Sequence, residues 1–268
     1  DMLADKVALV TGGGTGIGRM TAIQLARSGA RVVIYSRRLE VLEACATEIE
    51  ALGYEKVLCI AGDTREPDQV EAALVRVKEV HGRLDILVNN AGIRLYQDVT
   101  QASEASWDQI WGVNVKGYAF CAKAAIPLMR RQKAGSIVNI ASNSAFIASA
   151  NAALYDTTKA AVTGLTRAMA RDHAEDGIRV NALCPGPTLT PFHQRRAATA
   201  GMTLEAFAEQ VGQPTMLKRP AAPREIAACA LFLASEEASY VTGSCLVADG
   251  GESASGSNRP MQDPSDGA

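Results

Sequence analysis

The sequence predicts an α/β fold with a doubly wound parallel sheet of the Rossmann type. Short apolar runs alternate with longer segments of helical periodicity, which is the order of β-α-β units. Within each run almost every position is apolar, as in strands that are buried on both faces. Clusters of Gly, Asn, Asp and Ser follow the runs, at the strand ends where such sheets bind ligands.

The elements of this fold can be assigned in order along the chain. The predicted strands cover residues 6–12, 31–36, 57–63, 86–92, 136–142, 178–186 and 244–251. The predicted helices cover residues 17–28, 39–52, 67–81, 104–131, 154–175 and 223–234. No repeat or linker interrupts them, so residues 1–251 are predicted to form a single domain.

Two segments depart from the alternation. Residues 188–219 contain prolines, glycines and one helical piece but no strand, which predicts a substrate lid or loop in the C-terminal third. Residues 252–268 are polar and rich in Gly, Ser and Pro, which predicts a disordered tail.

The composition excludes several classes of function. A formal net charge of −2 gives no electrostatic reason for binding nucleic acid or an anionic membrane. No apolar run reaches the roughly 18 residues of a spanning helix, and no secretory leader is evident. With three histidines and no paired cysteine spacing, we expect no metal site, six reduced thiols and a cytoplasmic location.

A glycine-rich turn follows the first predicted strand. Residues 11–18 read T-G-G-G-T-G-I-G and lead directly into a helix. Gly12, Gly16 and Gly18 permit a tight turn, close approach of the backbone to a pyrophosphate and close packing of helix on strand. The start of the helix offers free N–H groups to the phosphates, so this turn favours a dinucleotide over a plain turn.

The end of the second strand addresses the choice between NAD(H) and NADP(H). NAD-binding sheets carry an acidic residue here for the ribose hydroxyls, but this chain has Ser36, Arg37 and Arg38, and no carboxylate before Glu40. Arginine can pair with a 2′-phosphate, which favours NADP(H), with NAD(H) still possible. Alternatively, these arginines form only the solvated start of the next helix.

Tyr155 and Lys159 are four residues apart in a helical segment and therefore lie on one face. A phenol beside an ammonium loses its proton at a lower pH than a free tyrosine and can act as an acid or base towards an alcohol or carbonyl oxygen. Taken alone, the pair is more often an ordinary surface contact.

In combination, these motifs make the chain resemble the short-chain dehydrogenase/reductase family from about residue 6 to residue 251. The matching segments occur in family order: TGGGTGIG at 11–18, Asp63, NNAG at 89–92, VNVKG containing Asn114, Ser142, YDTTK at 155–159, PGPTLT at 185–190 and DGG at 249–251. Their joint order and spacing are specific, whereas each alone is weak.

The resemblance implies a catalytic tetrad of Asn114, Ser142, Tyr155 and Lys159. Tyrosine would be the general acid/base and serine would steady the substrate oxygen. Lysine would hold the nicotinamide ribose and lower the pKa of the tyrosine, and asparagine would help hold a water. Ser144 is an alternative serine at a different spacing from Tyr155.

The resemblance also implies the remaining contacts. In the loop at 185–190, the backbone at Thr188 would bind the nicotinamide carboxamide, Thr190 would bind the carboxamide or a phosphate, and Asp63 would accept from adenine. The full cofactor set is Gly12, Thr15, Gly16, Ile17, Gly18, Ser36, Arg37, Arg38, Asp63, Thr64, Asn90, Ala91, Gly92, Tyr155, Lys159, Pro185, Gly186, Thr188 and Thr190.

The substrate pocket is predicted around Arg94, Tyr96, Asn143, Ser144, Phe146, Pro187, Phe192 and His193. Apolar residues of the lid favour an apolar substrate body. His193, Arg195 and Arg196 either attract an acidic substrate or form the solvated face of a short helix, and the second interpretation is preferred.

We therefore expect an NADP(H)-favouring oxidoreductase that acts on a small secondary alcohol or ketone. The alternatives are a non-catalytic NADP-binding sensor or scaffold on the same fold, and an epimerase or dehydratase of the same family. The resemblance further implies a homotetramer, with a dimer as the alternative.

Overall fold

Seven strands lie in one parallel sheet in the part of the chain that the structure, a computed structural model, describes, namely residues 2–255. Six of them lie within their predicted ranges, and the fifth begins one residue before its predicted range, at Gly135. The strands are β1 (Val7–Thr11), β2 (Arg31–Ser36), β3 (Leu58–Ala61), β4 (Ile86–Asn89), β5 (Gly135–Ile140), β6 (Ile178–Pro185) and β7 (Cys245–Ala248).

The helices follow the predicted alternation, with one change. The helix expected over 104–131 consists of two helices joined by a π-helical turn, Gly112–Lys116, which contains Asn114. The helices are α1 (Gly16–Arg27), α2 (Leu39–Ala51), α3 (Pro67–His81), α4 (Glu104–Trp111), α5 (Gly117–Gln132), α6 (Ala153–His173), α7 (Pro191–Thr199), α8 (Leu204–Gly212) and α9 (Pro223–Ala234).

The strand order is β3-β2-β1-β4-β5-β6-β7, with every neighbouring pair parallel. The chain first winds outwards from β1 to β3 and then crosses back to β4, so the winding direction reverses between β1 and β4. A crevice opens at this point, beyond the carboxyl ends of both strands. This confirms the predicted doubly wound Rossmann-type sheet.

The core lies on both faces of the sheet because strand side chains alternate in direction. Ala8 and Val10 of β1 belong to the buried cluster under α1, α2 and α9, whereas Val7 and Leu9 belong to the cluster under α3, α5 and α6. All four are at most 1% exposed. Two covered faces explain why the strands are apolar at successive positions.

The segment predicted as a lid, 188–219, contains the two helices α7 and α8 instead of one. Its closing over a ligand stays a prediction. At the predicted tail, residues 252–255 lie in a turn, with Ser253 N donating to Asp249 Oδ2 at 2.7 Å, and residues 256–268 lie outside the described residues. Between residues 2 and 255, no helix combines the length and apolar character needed to cross a membrane.

Candidate active site

The glycine-rich turn connects β1 to the first turn of α1. Gly12 and Gly16 have φ values of 64° and 55°, in the left-handed region that favours glycine. A Cβ on Gly18 would overlap the carbonyl oxygen of Gly12, so this contact also requires glycine. Thr15 precedes α1 without a capping side-chain hydrogen bond, which leaves the first N–H groups of the helix available. The turn therefore fits a pyrophosphate.

Asn90 fixes this turn against the end of β4. Its Nδ2 donates to the carbonyl oxygens of Thr11 and Gly12 at 3.0 and 3.2 Å, while its backbone N–H donates to Thr11 Oγ1 at 3.0 Å. Asn90 is thus mainly a structural support for the glycine turn, and Ala91 and Gly92 line the adjoining cleft.

A cleft lies where β2 and β3 end, at the place predicted for the adenosine half of the cofactor. The predicted cofactor residues that line it are Gly12, Thr15, Ser36, Arg37, Arg38, Asp63, Thr64, Ala91 and Gly92. Arg37 and Arg38 are both exposed, and Thr64 is buried.

Arg65 is a further residue of this site that the sequence interpretation missed. Its Nη2 lies 2.6 Å from Asp63 Oδ2, and its Nε contacts both carboxylate oxygens at 3.0 and 3.1 Å. These hydrogen bonds, together with the charges of Arg65 and Arg37, hold the pKa of Asp63 below its usual range, although desolvation opposes the shift. Asp63 is therefore ionised and held in place. The D-T-R sequence at 63–65 was the available signal.

Tyr155 and Lys159 lie one turn apart on α6, as predicted, and are 8% and 4% exposed. Lys159 Nζ is 5.6 Å from the centre of the Tyr155 ring and donates to the carbonyl oxygen of Ile140 at 2.8 Å. Burial lowers the pKa of Lys159 to about 7, and the nearby charge of Arg94 acts in the same direction. Lys159 is thus a buried amine without a carboxylate partner among residues 2–255.

Ser142 follows β5 and faces the same cleft as Tyr155 and Lys159. Its Oγ accepts from Ser144 N at 3.1 Å and donates to Asn143 Oδ1 at 3.4 Å. The second contact is long for a hydroxyl hydrogen bond, so the proton of Ser142 can turn to a better acceptor. Ser144 makes the turn that orients Ser142 and lines the outer part of the cleft.

The side-chain amide of Asn114, in the π-helical turn, forms two hydrogen bonds with the backbone of Ile93. Its Oδ1 accepts from Ile93 N at 2.8 Å, and its Nδ2 donates to Ile93 O at 2.9 Å and to Thr158 Oγ1 at 3.1 Å. Thr158 Oγ1 in turn donates to the carbonyl oxygen of Tyr155 at 2.8 Å. Asn114 therefore connects the segment after β4 to the helix that carries Tyr155.

The loop after β6 closes the cleft on its other side. Thr188 Oγ1 donates to Gly186 O at 3.0 Å, and Thr190 Oγ1 shares a hydrogen bond with His193 Nδ1 at 3.1 Å. The methyl group of Thr190 faces Gly16, at 3.4 Å from the position of a Cβ there. The predicted cofactor residues that line this part of the cleft are Ile17, Asn90, Gly92, Tyr155, Lys159, Pro185, Gly186, Thr188 and Thr190.

Six of the eight residues predicted for the substrate pocket line the outer cleft, and Phe146 and Phe192 are the exceptions. Phe146 is not brought to it: the side chain is 52% exposed after the short helical turn at 143–145, and Ile147 lines the cleft instead. Phe192 contacts this region through Arg94. The predicted residues that line the outer cleft are Arg94, Tyr96, Asn143, Ser144, Pro187 and His193.

His193 requires a correction. The sequence pattern assigns it with Arg195 and Arg196 to a solvated helix face, but its side chain is 6% exposed. With Ala197, four residues later, it forms a buried stripe of α7. Burial, followed by the charges of Arg94 and Arg196, lowers the pKa of His193 to about 4. The ring is therefore neutral, whereas Arg195 and Arg196 are exposed as predicted.

Glu252 is another residue of the outer cleft that the sequence interpretation missed. Its Oε2 accepts from Asn143 Nδ2 at 2.8 Å. The sequence indicates a tail at this position because the residues after β7 show no periodicity.

Comparison with known proteins gives concordant matches. A family model described as enoyl-(acyl carrier protein) reductase matches residues 12–253. A short chain dehydrogenase/reductase of Aspergillus oryzae is 38% identical over 253 residues, which are 93% of this chain and 95% of that protein.

Two solved structures are also similar over nearly the whole chain. The ligand-free aldohexose dehydrogenase of Thermoplasma acidophilum has a TM-score of 0.86 and 37% identity, covering 98% of both chains. A levodione reductase has a TM-score of 0.89 and 35% identity, covering 95% of this chain and all of that one.

Proposed function

The chain belongs to the short-chain dehydrogenase/reductase family of oxidoreductases, and on this basis we propose that it transfers a hydride between NADP(H) and a secondary alcohol or ketone. The observation that carries the proposal is the position of Tyr155. It lines one cleft together with Ser142 and Lys159, and that cleft continues to Ile17 and Asn90 beside the glycine turn. A proton donor therefore stands next to the space that fits a dinucleotide.

In the proposed reaction, the cofactor handles the hydride, and side chains of this protein handle the proton and the charge on the substrate oxygen. A bound nicotinamide supplies or accepts the hydride at the substrate carbon. The hydroxyl of Tyr155 gives a proton to the carbonyl oxygen in reduction and removes it from the alcohol in oxidation. Ser142 donates a hydrogen bond to the same oxygen in place of its long contact to Asn143, which stabilises the charge that develops there.

Lys159 and Asn114 support this acid/base group in the proposed mechanism. Lys159 would bind the nicotinamide ribose and, when protonated, add positive charge near the oxygen of Tyr155. Asn114 would hold the backbone around Tyr155 through Thr158. Neither residue needs to exchange a proton with the substrate directly.

The preference for NADP(H) rests on the end of β2. Ser36, Arg37 and Arg38 line the adenosine cleft, and the nearest carboxylate there, Asp63, is already bound by Arg65. A 2′-phosphate dianion would meet a hydroxyl and two guanidinium groups instead of a repelling carboxylate.

The first experiment combines a panel of ketones with Tyr155→Phe. The purified chain should oxidise NADPH in the presence of at least one ketone, and Tyr155→Phe should lower kcat at least 100-fold, because general acid catalysis typically contributes 10²–10⁴-fold. NADPH binding by calorimetry should be retained. Tyr240→Phe, at a fully exposed tyrosine, is the matched control and should retain activity. Substantial activity in Tyr155→Phe would contradict the proposed role.

The second experiment tests the cofactor preference with Ser36→Asp. The new carboxylate should repel the 2′-phosphate and accept from the ribose hydroxyls of NAD, so the ratio of kcat/KM for NADPH to that for NADH should reverse. Equal ratios in the two proteins would refute the assignment of this site.

The proposed assembly is a homotetramer, with a dimer as the alternative, and the proposed location is the cytoplasm. Phe232 on α9 and Val247 on β7 are 40% and 38% exposed. A second copy would remove such apolar side chains from water. Light scattering tests the assembly, and a monomer at micromolar concentration would contradict it.

A further inference from the structure

Two arginines stand at the substrate end of the cleft, and aromatic rings hold both. The guanidinium carbon of Arg94 lies 5.1 Å from the centre of the Tyr155 ring and 4.8 Å from that of Phe192. Arg196 lies 5.6 Å from the ring of Tyr96 and 5.8 Å from that of Phe192. Phe192 thus positions both guanidinium groups at one opening.

Neither arginine has a carboxylate within 4 Å among residues 2–255. Two carboxylates line the same cleft, each more than 4 Å from both guanidinium groups: Glu252 Oε2 accepts from Asn143 Nδ2 at 2.8 Å, and Asp156 Oδ2 accepts from Ser149 N at 3.0 Å, while Asp156 Oδ1 has no hydrogen-bond partner among residues 2–255. Within residues 2–255, the guanidinium of Arg94 forms one hydrogen bond to another side chain: its Nη1 donates to the hydroxyl of Tyr96 at 3.4 Å. Most of its donors are therefore available to a ligand.

The neighbouring histidine responds to the same positive charge. The pKa of His193 falls to about 4 through burial and through the charges of Arg94 and Arg196. At neutral pH the ring carries no charge, so any attraction of an anion to this place comes from the two arginines.

On the basis of the proposed reductase function, we infer that the substrate is a short oxo acid whose carboxylate binds Arg94, with Arg196 adding attraction at the opening. Arg94 provides a planar fork of N–H donors that matches a carboxylate. Because its guanidinium lies over the ring of Tyr155 itself, the carboxylate and the reacting carbonyl must be close together. One or two bonds between the carbonyl carbon and the carboxylate carbon satisfy this, as in 2-oxo and 3-oxo acids.

The reaction then balances as an ordinary reduction. The carbonyl carbon gains a hydride from NADPH, the carbonyl oxygen gains the proton of Tyr155, and the products are a 2- or 3-hydroxy acid and NADP⁺. Solvent returns the proton to Tyr155. The carboxylate takes no part in bond making and serves only to orient the substrate.

The test compares each acid with its methyl ester, which keeps the carbonyl but removes the charge. Acetoacetate and methyl acetoacetate, and pyruvate and methyl pyruvate, are assayed with NADPH for the unmodified protein, Arg94→Leu and Arg195→Leu. Arg195 is the matched control, since it is an exposed arginine next to Arg196 that is absent from the cleft lining.

For at least one pair, Arg94→Leu should lower kcat/KM for the acid roughly 10- to 100-fold, the usual effect of a charge-assisted hydrogen bond, and change that for the ester less than about 3-fold. Arg195→Leu should leave both unchanged. An equal loss for acid and ester would assign Arg94 to support of Tyr155 and would overturn the inference. Preference of the unmodified protein for both esters would overturn it as well.

A binding measurement separates this inference from the proposed function. Butyrate, which has the charge but no reducible carbonyl, is titrated calorimetrically into the protein with NADP⁺ present. Weaker binding to Arg94→Leu than to Arg195→Leu supports the carboxylate site even if no ketone is turned over, in which case only the reductase proposal fails. Equal binding to both variants, or none to the unmodified protein, refutes the site.

Discussion

Replacement of Lys159 by Met should change the pH dependence of stability in the protein without cofactor. Burial, with the charge of Arg94, lowers the pKa of Lys159 from its ordinary value of 10.5 to about 7. At about 1.36 kcal/mol per pH unit, charged Lys159 therefore destabilises the fold by about 5 kcal/mol. Methionine has a similar length and no charge.

The substitution also has an unfavourable effect. Lys159 Nζ donates to Ile140 O at 2.8 Å in the unmodified protein. Loss of this donor leaves a buried carbonyl without a partner, which costs roughly 1–3 kcal/mol. At pH 6 the free energy of unfolding of Lys159→Met should therefore exceed that of the unmodified protein by about 2–4 kcal/mol.

The sign of the pH dependence follows from the two pKa values. The folded pKa lies below the unfolded one, so between pH 7 and 10.5 the unfolded chain binds the additional proton, and the stability of the unmodified protein rises with pH. Below pH 7 both states are protonated and the difference is constant. The advantage of Lys159→Met should thus fall by about 3 kcal/mol between pH 6 and 9.5.

Urea unfolding at pH 6, 7, 8 and 9.5 measures this difference, with equal slopes against urea as the condition for comparison. Lys123→Met, at an exposed lysine of α5, is the control and should change the free energy by less than about 0.5 kcal/mol at every pH. A Lys159→Met protein that is less stable than the unmodified one at pH 6, or a difference that does not vary with pH, would refute the reasoning.

Two further substitutions test the glycine turn and the core beneath the adenosine cleft. Gly18→Ala would place a Cβ against the oxygen of Gly12 and should weaken calorimetric binding of NADP⁺ at least about 10-fold. Gly164→Ala, where a Cβ meets nothing within 4 Å, should leave binding unchanged, and equal effects would contradict the argument. Tyr35→Phe should raise the free energy of unfolding by about 1–2 kcal/mol, because its buried hydroxyl has no hydrogen-bond partner within residues 2–255. A loss of stability of Tyr35→Phe in urea would contradict this.

The sheet was largely predictable because its strands are short, apolar on both faces and bounded by turn residues. This pattern correctly predicts that VALVT forms the buried strand β1. It also correctly predicts that Ser36, Asp63 and Asn90, which end or follow strands, line a cleft at the carboxyl ends of the sheet. The π-helical turn around Asn114 was not predictable, because its neighbours have ordinary helical composition and the bulge depends on contacts with Ile93 and Thr158.

The outer cleft was less predictable than the inner one, and the reason is physical. Sequence periodicity gives the faces of a helix but not the element that covers each face. The pattern therefore assigns His193 to solvent, although Thr190 and the rings of Phe192 and Phe207 surround it. Phe146, in contrast, is expected in the pocket and points to solvent.

The difference between the two halves of the cleft bears on specificity. The inner half is built from backbone and from residues fixed by the sheet edge, so its shape follows from the fold. The outer half is built from side chains of α7 and of the segments that follow β4, β5, β6 and β7, which meet only in the folded chain. Arg94 belongs to both, since it contacts Phe192 of α7 and the ring of Tyr155. A change of substrate preference in this protein should therefore be obtained most directly at Arg94 and on α7, without altering Ser142 or the residues of α6 that carry the proposed chemistry.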